Sequence, residues 1–361
     1  MIVAQPQLCT LANLTTVHFQ ECMINKIAKP GCAWLMAASL WACAGNSQTT
    51  DCVPMPEAKP LTGETVKTEV DALLPRAMFV VDGKLGIYKE REEFMFDFYT
   101  LPDFKFLCST APRGQGPDDL IGLECRNIEV SGTTFSALEH MTWRLKTMKL
   151  AGDSAMQVVH TSKPLDANGA INMFHRLDSL HYLSLGSTSN QKEFCIYDIS
   201  DGSAHETGEY PEWIDPATLA TGMPLLIPYG KFLAVSPDGN RFAAFYWHFD
   251  RVRFFDRDCK MLMDITTSHD SNGKQEDDDE NKLPSCYFGV KAAGDKIYAL
   301  HADSDSTRLL EIWDWDGHPK SVFRLDRPVT IMTVDTKTRR VIAKDAEHSN
   351  EIYLYELPGD Y

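Results

Sequence analysis

The sequence predicts an all-β fold: a six-bladed β-propeller of four-stranded antiparallel blades. Three observations predict it. The first is the stretch from Tyr229 to Ile265, which reads as one four-stranded meander. Leu233-Ala-Val235 is a short apolar run, followed by Ser236-Pro-Asp-Gly-Asn240. Pro237 presets a turn and Gly239 supplies a positive φ, so a hairpin is expected there. Arg241 to Tyr246, Arg251 to Phe255 and Met261 to Ile265 then read as the second, third and fourth strands. Such a unit cannot bury both of its faces alone and needs copies of itself.

The second observation is that the copies are present. Ile196-Tyr-Asp-Ile-Ser-Asp-Gly202 matches Ile312-Trp-Asp-Trp-Asp-Gly317, and Phe254-Phe-Asp-Arg-Asp258 fits the same frame. Weaker copies are Phe98-Tyr-Thr-Leu-Pro-Asp103, Met141-Thr-Trp-Arg-Leu145 and Tyr353-Leu-Tyr-Glu-Leu357. Their aromatic anchors, Tyr99, Trp143, Tyr197, Phe255, Trp313 and Tyr355, stand 44, 54, 58, 58 and 42 residues apart. Propeller blades recur at roughly 40–50 residues plus loop insertions. The third observation is the texture of the strands. Phe242-Ala-Ala-Phe-Tyr-Trp247 is continuously apolar, as a middle strand covered on both faces should be. Helical periodicity is nearly absent after residue 60. A β-sandwich pair or an α+β domain is the competing architecture.

The ring must also close, or it leaves an unpaired edge. The last anchor, Tyr355, stands six residues before Tyr361, with Pro358 and Gly359 between them, so no outer strand fits after it. Glu64-Thr-Val-Lys-Thr-Glu-Val70 sets Val66 and Val70 among charged neighbours, as an edge strand should. Residues 62–71 are therefore expected to pair with 351–357 and complete the sixth blade. Removing 44–60 should then leave stability intact, whereas removing 44–71 should lower it sharply.

Ahead of the propeller, Lys26 and Lys29 precede an apolar run from Ala33 to Ala42, a charged n-region and a short h-region. The run is too short to span a membrane. Leu40-Trp41-Ala42-Cys43 resembles a bacterial lipoprotein box, although a residue smaller than Trp41 is usual at that position. The resemblance implies cleavage before Cys43 and lipidation of its thiol; an ordinary signal peptide or a buried helix are the alternatives. Residues 1–43 thus read as leader, with Met23 as a possible true start. Residues 44–61 read as a flexible tether carrying Pro54, Pro56 and Pro60, and 62–361 as the propeller. No acidic run follows Cys43 directly, which favours an outer-membrane anchor facing the periplasm.

Blade-type strands, the Gly114-Gln-Gly-Pro-Asp-Asp119 loop after the first blade and the lipoprotein leader together resemble the TolB-like six-bladed propeller lipoproteins, over roughly residues 62–361. Members often carry Gly-Glu where Asp118-Asp119 stand here. The resemblance implies an envelope protein with no established enzymatic chemistry. It bears on the fold more than on the function.

Composition narrows the partners. A net charge of −16 argues against nucleic acid. Ten cysteines without CxxC spacing argue against a zinc site and against a disulfide scaffold; most should be buried thiols. The eleven histidines form no HExxH or HxH pair, and no serine has a GxSxG frame. No catalytic residue is assigned. Gly114 and Gly116 could cradle an anion, but no helix pattern follows them and a structural turn is the plainer reading. Asp277-Asp-Asp-Glu280 could hold calcium, but it lacks alternating ligand spacing and reads better as a solvated insertion.

In a four-stranded blade, loops joining strands two and three share a face with loops joining successive blades. Arg113 to Asp119, Glu212-Trp-Ile-Asp215, Trp247 to Arg251, Asp303 to Asp305 and the acidic insertion should therefore crowd one mouth of the channel. The candidate ligand residues there are Arg113, Gln115, Asp118, Trp213, Trp247, His248 and Arg251. Three functions are compatible with them. One is a non-enzymatic envelope propeller binding an unknown envelope protein or ligand, with the membrane met only through the lipid. Another is a calcium-dependent hydrolase similar to calcium lactonases, using carboxylates and Asn at the channel. The last is a glycan-binding module with Trp213 and Trp247 as stacking platforms.

Overall fold

The computed structural model describes residues 51–90, 92–124, 126–166, 171–186, 191–215, 219, 222–268, 285–304 and 307–359. Met23, Cys43, Asp305 and the acidic run 277–280 lie outside the described residues. Those described form strands and turns, with no helix among them.

Three short strands lead the chain: β1 (Asp51–Pro54), β2 (Ala58–Leu61) and β3 (Glu64–Lys67). Blade 1 is β4 (Pro75–Val81), β5 (Lys84–Lys89), β6 (Phe94–Thr100) and β7 (Phe106–Pro112). Blade 2 is β8 (Glu129–Ser131), β9 (Thr134–Glu139), β10 (Arg144–Ala151) and β11 (Ala155–Thr161). Blade 3 is β12 (Asn172–Arg176), β13 (His181–Leu185), β14 (Lys192–Asp198) and β15 (Ala204–Glu209). Blade 4 is β16 (Lys231–Val235), β17 (Arg241–Tyr246), β18 (Arg251–Asp256) and β19 (Met261–Ser268). Blade 5 is β20 (Tyr287–Ala293), β21 (Lys296–Ser304), β22 (Thr307–Trp313) and β23 (Pro319–Leu325). Blade 6 is β24 (Ile331–Asp335), β25 (Arg340–Lys344) and β26 (Glu351–Glu356), with β3 as its fourth strand.

The expected closure is present over a shorter stretch than 62–71: β3 pairs antiparallel with β26, with Glu351 opposite Lys67, Ile352 opposite Val66 and Leu354 opposite Glu64. The chain ahead of it departs from expectation. β1 adds in parallel to the outer edge of β19, and β2 adds in parallel to β23. Part of the segment read as a tether is thus a strap across the outer edges of blades 4 and 5 before it closes blade 6. Val53 and Met55 pack on the core between blades 4 and 5, and Leu61 on that between blades 5 and 6. Pro54 and Pro60 are tolerated because an added outer strand leaves one edge open to solvent, where a missing N–H breaks no ladder.

The core is divided into wedges. One apolar cluster fills each seam between successive blades, and the last joins Met78, Leu85 and Ile87 of blade 1 to Ile342, Ile352 and Leu354 of blade 6. Tyr99, Tyr197, Phe255, Trp313 and Tyr355 sit buried in the third strands, as predicted. Trp143 does not. It occupies the turn before β10 with φ of 51°, and the third strand of blade 2 runs from Arg144. The aspartate after three of the anchors caps the following hairpin. Asp198 accepts from the Ser200 amide at 2.8 Å, Asp256 from Lys260 at 2.8 Å and Asp314 from His318 at 2.9 Å. Gly239 has φ of 68° in the predicted hairpin, and a Cβ there would meet the Leu177 carbonyl oxygen at 1.7 Å.

One seam also holds charge. Glu193 of β14 accepts from the Lys231 ammonium at 2.5 Å, the Tyr246 hydroxyl at 2.5 Å and Arg253 at 3.3 Å. Four polar groups converge between blades 3 and 4 because each satisfies another, as burial requires.

Candidate functional site

Alternation of strand direction puts two kinds of connection on one face: those between second and third strands, and those from each blade to the next. We call it the loop face; the first-to-second and third-to-fourth hairpins form the opposite, hairpin face. Among the described residues, ten large apolar side chains are exposed, and six belong to the loop face. Leu73 and Leu74 lie between β3 and β4, Phe94 opens β6, and Met141 lies between β9 and β10. Ile227 precedes β16, and Trp247 lies between β17 and β18. Met141 is 72% exposed and Ile227 57%. Val130 and Leu180 lie by hairpins of the other face, and Val159 and Leu262 on outer strands.

Blade 4 supplies the most structured part of this face. The Trp247 ring stacks on His248, with centroids 5.4 Å apart and planes within 3°, and Phe232 packs beside it at 6.1 Å. Gly230 leaves room for it, since a Cβ there would come to 3.3 Å of the indole. Trp213 is engaged differently. Tyr246 and Phe249 meet it edge-on at 4.6 and 5.1 Å, and the Arg251 guanidinium lies 4.3 Å from the ring centre. Arg251 is held in turn by Asp264 at 2.7 Å. Trp213 therefore anchors the connection before β16 to blade 4, whereas Trp247 presents a surface.

Arg113, Gln115 and Asp118 lie elsewhere, at the boundary of blades 1 and 2. Arg113 donates to the carbonyls of Ile121, at 2.7 Å, and Glu90. Asp118 accepts from the Val158 amide of β11 at 2.8 Å, and Gln115 is exposed. The Gly-Gln-Gly-Pro loop closes on its own carboxylate. Asp119 accepts from the Gly116 amide at 2.8 Å, and a Cβ on Gly114 would fall 2.2 Å from the same oxygen. The position an anion would take is filled by the chain itself, which makes this a structural turn. The seven predicted residues thus form two groups, one at blades 1–2 and one at blade 4. No contact between the groups is found among the described residues.

Sequence reasoning missed the groups inside the channel. First strands line a cavity of about 660 Å³ that contains Glu129, His175 and Lys291. Glu129 accepts from Asn127, from the Arg176 amide at 3.3 Å and from His175 Nδ1 at 3.4 Å. Burial opposes its ionisation, but His175, Asn127 and Arg176 together hold its carboxyl below the usual range. Burial pulls the Lys291 ammonium down, and Glu129 resists that shift. The His175 Nε2 atom is buried with no hydrogen-bond partner among the described residues. These residues come from blades 2, 3 and 5, so no local motif could have joined them. The only signal was a charged or imidazole side chain in a first strand, the strand of each blade that lines the channel.

No family model matches the chain, and no curated protein matches it. Solved structures do resemble it. A member of the DUF4221 family from Bacteroides vulgatus aligns with a TM-score of 0.57 at 8% identity, covering 83% of this chain and 97% of that one. A protein of Bacteroides fragilis predicted to be exported aligns with a TM-score of 0.51 at 9% identity, covering 85% and 99%. The RRP9 WD40 repeats align with a TM-score of 0.53 at 9% identity, covering 84% and 100%. At such identities the likeness is one of fold. It joins the chain to propellers, and the TolB-like family itself is not among these three.

Proposed function

We propose that the protein is a non-enzymatic binding propeller of the bacterial cell envelope that holds a protein partner against its loop face. The observation that carries this reading is the gathering of Leu73, Leu74, Phe94, Met141, Ile227 and Trp247 on one face. Exposed apolar surface marks an interaction site where it collects rather than scatters, and these six share one face while the other four are divided between the hairpins and the outer strands. The channel chemistry also favours binding over a calcium-dependent hydrolase. Calcium takes oxygen ligands, while Glu129 is already held by donors and faces an ammonium group.

Export is supported by the leader pattern in residues 26–43, and the fold is shared with a protein predicted to be exported. Lipidation at Cys43 and an outer-membrane position facing the periplasm complete the proposal. Two or more acyl chains hold a domain at a bilayer where one binds only marginally. Cys43→Ser is expected to move the protein out of the detergent phase; unchanged partitioning would remove the anchor from the proposal.

The binding surface is tested by changing Met141, Ile227 and Trp247 to Ser together and recovering the protein from intact envelopes. Loss of one defined co-purifying protein at an unchanged melting temperature supports the reading. Retention of that partner by the triple variant, with loss in a Leu180→Ser control, would place the interface on the hairpin face. A glycan is the second reading, favoured by the exposed Trp247 ring, which stacks flat on half-buried His248. Glycan retention abolished by Trp247→Ala alone would favour it.

A further inference from the structure

We propose that Asp250, Cys286 and His301 form a zinc site on the seam between blades 4 and 5. Asp250 ends the connection between β17 and β18, Cys286 immediately precedes β20, and His301 lies in β21. Their ligand atoms, one from each side chain, all lie within 4.8 Å of one another. The residues are 36 and 15 positions apart, so no metal-binding spacing announces them. The fold assembles them, and backbone bonds hold the arrangement. The Cys286 amide donates to the Trp247 carbonyl at 2.7 Å, and the Ala302 amide donates to the Cys286 carbonyl at 2.7 Å. The Asp250 carbonyl accepts from the Thr267 amide at 2.9 Å. Main-chain bonds thus tie Cys286 to Trp247, three residues before Asp250, and to Ala302, next to His301.

His301 is oriented as a metal ligand would be. Its Nδ1 stands 2.6 Å from the Ala302 carbonyl oxygen, which accepts the proton on that nitrogen. A ligating imidazole usually makes this second bond, which fixes the tautomer and points the other nitrogen at the ion. Nε2 then faces Asp250 Oδ1 at 2.7 Å, a separation that places a proton between the two or a cation nearby. Zinc bonds of about 2.0–2.2 Å to nitrogen and oxygen would open this pair by only a fraction of an ångström. The Tyr287 ring lies edge-on to the imidazole at 4.9 Å. His301 is 4% exposed and Cys286 8%, whereas the Asp250 side chain is 49% exposed. An ion would therefore enter from the Asp250 side, and water would complete a tetrahedron there.

The chemistry selects the ion. Thiolate, imidazole and carboxylate suit zinc, whereas calcium and magnesium require oxygen throughout. Binding of one Zn²⁺ displaces the thiol proton and the second proton held between His301 and Asp250, so two protons leave for two charges gained. The ion would fasten the Trp247 connection of blade 4 to the first two strands of blade 5.

The test uses the full chain, stripped of metal and titrated with zinc chloride under dialysis, and with cobalt chloride in the spectrophotometer. One zinc per chain and a thiolate-to-cobalt charge-transfer band are expected. Cys286→Ser should abolish the band, and Asp250→Asn and His301→Ala should each weaken zinc binding at least tenfold. Cys259→Ser, a buried cysteine elsewhere in blade 4, should change neither. Asp250→Asn alters an exposed side chain and keeps the test valid if the buried variants do not fold. No cobalt band in the wild type, a band that survives Cys286→Ser, or equal zinc affinity in wild type and Asp250→Asn would overturn the site.

Discussion

Trimming the N-terminal strap one strand at a time should give a graded loss of stability. Consider chains that begin at residue 51, 57, 63 or 72. The start at 57 removes β1, and with it the half-buried Val53 and Met55. Two half-buried apolar side chains contribute about 1.5–3 kcal/mol together, and the backbone hydrogen bonds of β1 to β19 add to this, while the entropy of ordering the strand offsets most of the gain. The net loss is therefore small, about 1 kcal/mol. The start at 63 also removes β2 with half-buried Leu61, at a similar loss. The start at 72 removes β3 as well. That step deletes Val66 from the seam between blades 6 and 1 and uncovers Ile352, Tyr353 and Leu354, each no more than 6% exposed. It should remove about 4–6 kcal/mol by the same area reasoning. At roughly 2 °C per kcal/mol for a domain of this size, the melting temperatures should fall by about 2, 4 and at least 10 °C relative to the start at 51. Calorimetry or thermal circular dichroism measures the series, and aggregation of the shortest chain satisfies the expectation for that step. Equal melting of the starts at 51 and 63 would show the strap to be a tether after all. Equal melting of 63 and 72 would refute the closure.

Two other perturbations test the packing. Glu193→Gln leaves Lys231 and Arg253 buried without their shared carboxylate, and breaking a buried pair by removing one partner costs about 3–5 kcal/mol. Lys231→Met should cost less, since Arg253 and Tyr246 still serve Glu193; urea unfolding that ranks the two in the reverse order would contradict this account of the cluster. Burial works against ionisation of Asp314, but the Lys320 ammonium, the His318 and Asp316 amides and the His318 ring outweigh it and hold the carboxyl down to about 2. A folded value below the unfolded one means stability present above about pH 4 and lost between about pH 4 and 2. Asp314→Ala should therefore be less stable than the wild type at pH 7 by about 2 kcal/mol. That difference should vanish in acid titrations near pH 2.

The repeat was legible because its determinants are local. Pro237 and Gly239 make one hairpin whatever surrounds them, and Asp198, Asp256 and Asp314 each cap the turn that follows. The closing strand could be read from Val66 and Val70 because an edge strand needs only an alternating pattern and a vacant partner. Trp143 misled, since an aromatic in a tight turn carries the same letter as one in a strand; its positive φ is invisible in sequence. The strap over 51–61 was hidden by its prolines, which suit a solvated tether and an outer edge strand equally well. Function was the least legible part. Glu129, His175 and Lys291 meet across a channel, and Asp250, Cys286 and His301 across a seam. The packing of blades around the ring, not residue spacing, brings each set together. Trp213 and Trp247 look alike as letters, yet one is clamped under Arg251 and the other faces outward.

Photo-cross-linking in intact cells tests the central claim most directly. A photoreactive phenylalanine would replace Met141, Ile227 or Trp247 on the loop face, and Val130 or Leu180 on the hairpin face. Binding through the loop face predicts a discrete adduct with the same protein from 141, 227 and 247, and none from 130 or 180. Adducts of equal yield from both faces, or from 130 and 180 alone, would contradict it.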